Sequence, residues 1–275
     1  MRAELRSLTT ETGAQLLWQG DEAHWPQRAP LLFPVIGLPR DGKVWFEGHP
    51  YPIERHGFAH GLTFDVVAQS ESSVRLQAMD DADTRRSFPY AFRLVVDYSL
   101  DEANLAIAVS VHNREPSRSM PFCFGFHPGF VWPLPGNVAK GGHTLNVTST
   151  ATMKERRILS GTMAQASTLL GKDLHLELEE ACFLPSAMII EDAKPRLISY
   201  GGPAGPAISI KTSDTLPHLG VWSRGQGEYV CIEPWSALPQ SENYFGDLGD
   251  RPDATNLAAG TEAAFSMTVS VALVS

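Results

Sequence analysis

Apolar and polar positions alternate with a period of two along most of this 275-residue chain. Leu105, Ile107, Val109 and Val111 form the cleanest such series. Phe92, Leu94 and Val96 repeat the rhythm before it, and Val74, Leu76 and Ala78 before that. Period two sends one set of side chains to each face of a strand. Asp101 to Asn104 supplies the hairpin turn between two of these series. Ala187–Ile190, Arg196–Tyr200, Ala207–Lys211 and Tyr229–Ile232 read as further strands, and Phe265 to Leu273 closes the chain with another.

Other segments are less regular. Residues 3–18 predict two short strands around a turn at 10–13. Residues 20–28 read as a polar surface loop carrying Trp25. Leu31–Gly37 is an apolar strand in which Pro34 lacks a ladder donor, which places it at an edge or a bulge. Asp41-Gly42 is a hairpin turn signal. Residues 160–170 allow a turn of helix, and Leu174, Leu176 and Leu178 favour a strand or extended loop. Residues 239–260 form a polar loop. The pattern predicts an all-β chain, a large antiparallel β-sandwich spanning 1–275 as one domain.

Composition narrows the function. The 23 glycines and 20 prolines suit many short strands and turns, and 43% hydrophobic residues suffice for a core. Lys and Arg total 22 against 31 Asp and Glu, so the net charge is −9. A phosphate backbone needs a basic surface, which argues against nucleic acid as a partner. No apolar run is long enough for a membrane helix, and the first residues lack an apolar signal core. Three unpaired cysteines, Cys123, Cys182 and Cys231, read as reduced thiols and predict a cytoplasmic location. Neither a His-Glu-x-x-His nor a paired-cysteine spacing is present, so no metal is expected. The acidic run at Asp80, Asp81 and Asp83 reads as a solvated turn.

Three short segments concentrate titratable groups beside Gly, Pro and aromatic residues: Arg55-His-Gly-Phe-Ala-His60, Gly125-Phe-His-Pro128 and Cys231-Ile-Glu-Pro-Trp235. Phe122, Phe124 and Phe126 alternate, so a core-facing Phe set sends His127 to the opposite face. Taken alone, His127 also reads as a buried histidine bonded to a backbone carbonyl, and Glu233 as an exposed strand-end carboxylate.

In order along the chain, Leu32-Phe-Pro-Val-Ile-Gly37, Asp41-Gly-Lys43, His56-Gly-Phe-Ala59, His127-Pro-Gly-Phe130 and Cys231-Ile-Glu-Pro-Trp235 resemble the aldose 1-epimerase (mutarotase) family, in its LacX-like branch. The resemblance implies a galactose-mutarotase-type sandwich with a sugar in an open groove on one sheet. It implies interconversion of the α and β anomers of a free aldose, with no metal or organic cofactor. Glu233 is then the base at the anomeric hydroxyl, His127 the acid at the ring oxygen, and His56 a second donor orienting the sugar. Ordinary pKa values of about 4.3 for Glu and 6.5 for His would let base and acid coexist between them.

The chain departs from the family pattern at three places. Leu38 and His60 stand where the family usually has arginine, and Ser186 where an aspartate is common. Arg40 and His60 are therefore the expected sugar-hydroxyl donors, with Trp132, Trp222 or Trp235 stacking on a sugar face. Two alternatives stay open. A hexose-6-phosphate epimerase would need Arg55, Arg85, Arg86 and Arg93 to converge. A non-catalytic sugar-binding protein would not need the His–Glu pair.

Overall fold

The computed structural model describes residues 1–137, 139–159 and 161–274. Its main sheet is antiparallel throughout. From one edge the strands run Leu31–Leu32, Gly125–Phe126, Tyr229–Trp235, His218–Trp222, Met188–Glu191 and Thr144–Leu159. They continue Pro195–Gly201, Gly205–Thr212, Glu262–Val274, Asn104–Asn113, Phe92–Asp101, Ser73–Met79 and Asp65–Gln69. Every neighbour is reached by an antiparallel pairing, and several neighbours, such as Glu262–Val274 and Asn104–Asn113, are brought together from distant parts of the chain.

The alternating series sit where period two sends them. Leu105, Ile107, Val109 and Val111 are buried, as are Phe92, Leu94 and Val96. The sheet folds over on itself to enclose them. Phe124, next to the second strand from the edge, stacks on Phe265 of the ninth, with ring centroids 4.6 Å apart. Phe122, Phe124 and Phe126 thus enter the main core, and the outward face of their segment is left to His127.

Several local expectations are corrected. Residues 3–18 hold no extended strand, only isolated bridges from Thr9 to Gln15 and from Leu17 to Phe130. The strand expected at 31–37 ends after Leu32, because Pro34 cannot donate to a ladder. Asp41 and Gly42 do turn the chain, with φ of 53° and 63°, but the laddered hairpin joins Lys43–Phe46 to His49–Pro52 and turns at Glu47–Gly48. Glu47 and Gly48 have φ of 51° and 76°, the pair of positive values that a tight hairpin turn needs. Thr168–Glu177 is a strand paired along Thr144–Leu159, so the helical turn allowed at 160–170 is absent from its described residues; Ser160 lies outside them.

Candidate active site

The backbone register creates the site. Gly125 pairs with Trp235, and Gly129 pairs with Cys231. The ladder is interrupted between these pairs, where Pro128 has no N–H to give, yet the register on either side is the same. His127 is therefore set opposite Glu233. Directly opposed residues on antiparallel strands share a face. The His127 Nε2 lies 3.2 Å from Glu233 Oε2. The approach is not a well-aligned hydrogen bond, and Oε2 keeps no partner in the protein.

The other neighbour of Glu233 is Gly220, on the strand His218–Trp222. A side chain there would fall 2.4 Å from the Trp235 ring, and one at Gly125 would fall 2.6 Å from it. Two glycines thus make a bed for Trp235, which is 3% exposed beside Glu233. Its indole N–H makes no well-aligned bond, though its proximity favours the ionised carboxylate. Trp235 is a floor under the carboxyl, with no face open for stacking. Trp222 is only half-buried and lies edge-on to His127, with ring centroids 6.1 Å apart.

An aromatic cover lies over the outward face. Trp25 stacks on the His127 ring at 4.9 Å and 25° between planes. It also stacks on Tyr229 at 5.5 Å, and Trp18 packs on Tyr229 from the other side. Gly129 makes room for this, since a Cβ there would reach Trp25 at 2.6 Å. The expected open groove is therefore roofed by Trp25: His127 is 6% exposed and Glu233 2%. Half-buried His56 and Trp222 mark the side from which the pair can be reached.

Burial sets the electrostatics. It pushes the His127 imidazole down to about 3 and the Glu233 carboxyl well above its ordinary value. Charged forms lose hydration in such a place, so each group favours its neutral form. The order expected from unperturbed values is reversed. A neutral imidazole beside a protonated carboxyl has the same proton count as an imidazolium–carboxylate pair. The two differ only by one proton moved between Nε2 and Oε2.

His56 completes the cluster, its ring edge-on to His127 at 5.4 Å between centroids. Its Nδ1 accepts the Gly37 N–H at 3.1 Å, which leaves the proton on Nε2. Burial, with help from His127, Arg55 and His60, holds its pKa well below the ordinary value. His56 is therefore a neutral N–H donor. Its φ of 65° and the left-handed Gly57 after it bend the chain sharply. Gly57 abuts Phe33: a Cβ there would sit 2.1 Å from the Phe33 carbonyl oxygen.

Among the described residues, no other expected residue is hydrogen-bonded to the His127–Glu233 pair. Arg40 sits in the turn Arg40–Gly42 with its guanidinium 4.3 Å above the Phe245 ring. His60 is half-buried in the turn Ala59–Gly61, and burial lowers its pKa against an opposing pull from Glu54. The Ser186 hydroxyl accepts the Ile158 N–H at 3.0 Å, a structural bond. His143 is wholly buried, with Nε2 accepting from Leu134 and Nδ1 donating to the Lys140 carbonyl. Asp81 Oδ1 accepts the amides of Asp83 and Thr84, so the acidic run is a capped turn. Trp25, Tyr229 and Cys231 were not expected at the site. Cys231 could have been, since it alternates with Glu233 and Trp235 on one strand face.

The antiparallel sheet architecture places the chain among the galactose-mutarotase-like folds. A sequence profile of the aldose 1-epimerase family matches residues 3–268, and the chain belongs to that family. It is similar to the plasmid-encoded protein LacX of Lactococcus lactis, 26% identical over 265 residues that cover 92% of this chain and 88% of LacX. A galactose mutarotase related enzyme from Lactobacillus acidophilus superposes with a TM-score of 0.90 at 25% identity, covering 98% of this chain and 91% of that one. A galactose mutarotase-like protein from Lactobacillus casei gives 0.86 at 26% identity, covering 98% and 94%. Among the described residues, no helix is long and apolar enough to cross a membrane.

Proposed function

We propose that this protein is a cofactor-independent aldose 1-epimerase, interconverting the α and β anomers of a free sugar. The observation that carries the reading is the buried His127–Glu233 pair, 3.2 Å apart, with a neutral donor, His56, beside it. Mutarotation requires the C1 hydroxyl to lose a proton while the ring oxygen gains one. In the imidazolium–carboxylate arrangement, Glu233 takes the hydroxyl proton and His127 protonates the ring oxygen. The ring opens, and the pair is left as neutral imidazole and neutral acid. Rotation about C1–C2 and the reverse transfers close the ring on the other face and restore the pair.

Both arrangements carry no net charge. Burial favours the neutral pair, so moving one proton from Oε2 to Nε2 must precede ring opening and adds to its cost, while ring opening returns the pair to its neutral form. His56 Nε2–H supplies a donor that needs no protonation of its own. Trp222 is the aromatic ring available to a sugar face. Arg40 and His60 remain candidate donors to sugar hydroxyls.

The phosphorylated-sugar alternative has less support. Arg85 pairs with Asp80 at 2.8 Å, Arg86 pairs with Asp83 at 2.7 Å, and Arg93 is engaged with His112 at 3.0 Å. A location in the cytoplasm fits the three free thiols. The test is polarimetry of freshly dissolved α-anomers of galactose, glucose and other aldoses, with wild type beside Glu233→Gln. Catalysis that vanishes in the variant supports the reading. No catalysis by wild type on any free aldose sinks it.

A further inference from the structure

Acid–base mutarotation uses an imidazole and a carboxyl; it has no use for a thiol. Yet a ring nitrogen of His127, the sulfur of Cys231 and a carboxylate oxygen of Glu233 all lie within 4.8 Å of one another, and all three residues are buried. The strand alternation brings the thiol there, because Cys231 and Glu233 are two apart on Tyr229–Trp235. The register removes any obstacle: the residue opposite Cys231 is Gly129, which puts no side chain between the sulfur and His127.

Two buried polar atoms of these residues are unsatisfied. His127 Nδ1 and Glu233 Oε2 have no hydrogen-bond partner in the protein, although their residues are only 6% and 2% exposed. Cys231 is a free thiol. Nitrogen, sulfur and oxygen donors in one cluster of three are the set that zinc-class cations take, with a fourth position left open. Zn–ligand bonds of about 2.0–2.3 Å in a tetrahedron need donor separations of roughly 3.3–3.7 Å, a contraction within the reach of side-chain rotation.

We propose that His127, Cys231 and Glu233 form a binding site for a soft divalent cation of the zinc class, and that the bound cation switches the enzyme off. Binding forms metal–nitrogen, metal–sulfur and metal–oxygen bonds. It releases to solvent the thiol proton and the proton shared by His127 and Glu233. No oxidation or reduction is involved. With both proton-transfer groups tied to the metal, the C1 hydroxyl has no base and the ring oxygen no acid. The inhibitory effect rests on the proposed mutarotase function; the binding site itself does not.

The experiment titrates Cd²⁺, as a zinc surrogate, into the full-length protein carrying Cys182→Ser, which removes the half-buried thiol. The expected result is an ultraviolet thiolate-to-cadmium charge-transfer band that saturates at one equivalent, persists in added Cys123→Ser and disappears in added Cys231→Ser. Glu233→Gln, nearly isosteric and kept neutral, serves as the second variant and weakens Cd²⁺ binding at least tenfold. In parallel, micromolar Zn²⁺ lowers the mutarotation rate at least tenfold, chelation by EDTA restores it, and Cys231→Ser, compared with its own metal-free rate, loses most of this inhibition. No band, or a band indifferent to Cys231 and Glu233, overturns the site. Binding with undiminished turnover overturns the switch. An absence of mutarotation in the metal-free wild type would count against the proposed function, while the band still decides the site.

Discussion

The Trp25 ring lies on the His127 ring, 4.9 Å away and within 25° of parallel. Burial, to which this contact contributes, outweighs any charge in setting how His127 titrates. Burial under it holds the imidazole neutral down to about pH 3, and the same burial holds Glu233 protonated well above its ordinary range. The active pair carries one shared proton. Activity is therefore lost at low pH when His127 takes a second proton, and at high pH when Glu233 gives up the last. The rate should be level from about pH 4 past the ordinary histidine value. Trp25→Leu should raise the lower limb and bring down the upper one, narrowing the plateau. Rate–pH profiles of the two proteins decide this, and identical limbs would refute the role given to Trp25.

Glu233→Gln should trade activity for stability. The folded carboxyl has a raised pKa, so the stability of its neutral form is fully present below about pH 4.5 and is lost as pH rises through the folded value. Glutamine stays neutral throughout. The variant should match wild type near pH 4 and exceed it by at least about 1 kcal/mol at pH 8. Urea unfolding at the two pH values measures the gap. A variant less stable than wild type at pH 8 contradicts the burial penalty.

His56→Asn tests the neutral donor. Asparagine tolerates the left-handed backbone that His56 adopts at φ 65°, so the turn should survive. The lost hydrogen bond to substrate is worth about 1–3 kcal/mol, or roughly a five- to 150-fold fall in kcat/KM. The pH limbs should stay where they are, since His56 is not the titrating group. A shift of either limb would assign it a proton-transfer role instead.

Gly220→Ala probes the bed beneath the carboxyl. The added methyl meets the Trp235 ring at 2.4 Å, well inside contact distance. The ring must move, and Glu233 moves with it. A loss of about 1–3 kcal/mol in stability is expected, together with a disproportionate fall in turnover. Ala at Gly141, exposed in a turn, with open space around it and no positive φ, is the control for stability.

Much of this was readable from the chain. The alternation of Leu105 to Val111 needs only period two, and the three segments holding His56, His127 and Glu233 stand out by residue type. Trp25 did not stand out, because nothing in a polar loop tells where its one aromatic ring will fold. Trp235 was expected to stack on a sugar, but Gly125 and Gly220 draw it down into the sheet from distant parts of the sequence. The titration order of the pair was expected the wrong way round, since burial is a property of the fold and not of the residues. Arg40 lies over Phe245, itself in a loop without pattern, a partner that nothing in the sequence names.

The interrupted ladder around Pro128 has a wider consequence. Gly125 and Gly129 are tied to Trp235 and Cys231, and His127 hangs midway between them with its own N–H given to Pro30. The distance from acid to base is thus counted in residues, like a reading frame. One residue added or removed on either strand would put the two groups out of phase, leaving the composition of the site intact and its chemistry gone. Two short spacings, Gly-x-His-x-Gly and Cys-x-Glu-x-Trp, are therefore a more searching test of kinship in catalysis than overall identity. On the proposed mechanism, a homologue that keeps both residues but breaks either count inherits the scaffold without the proton relay.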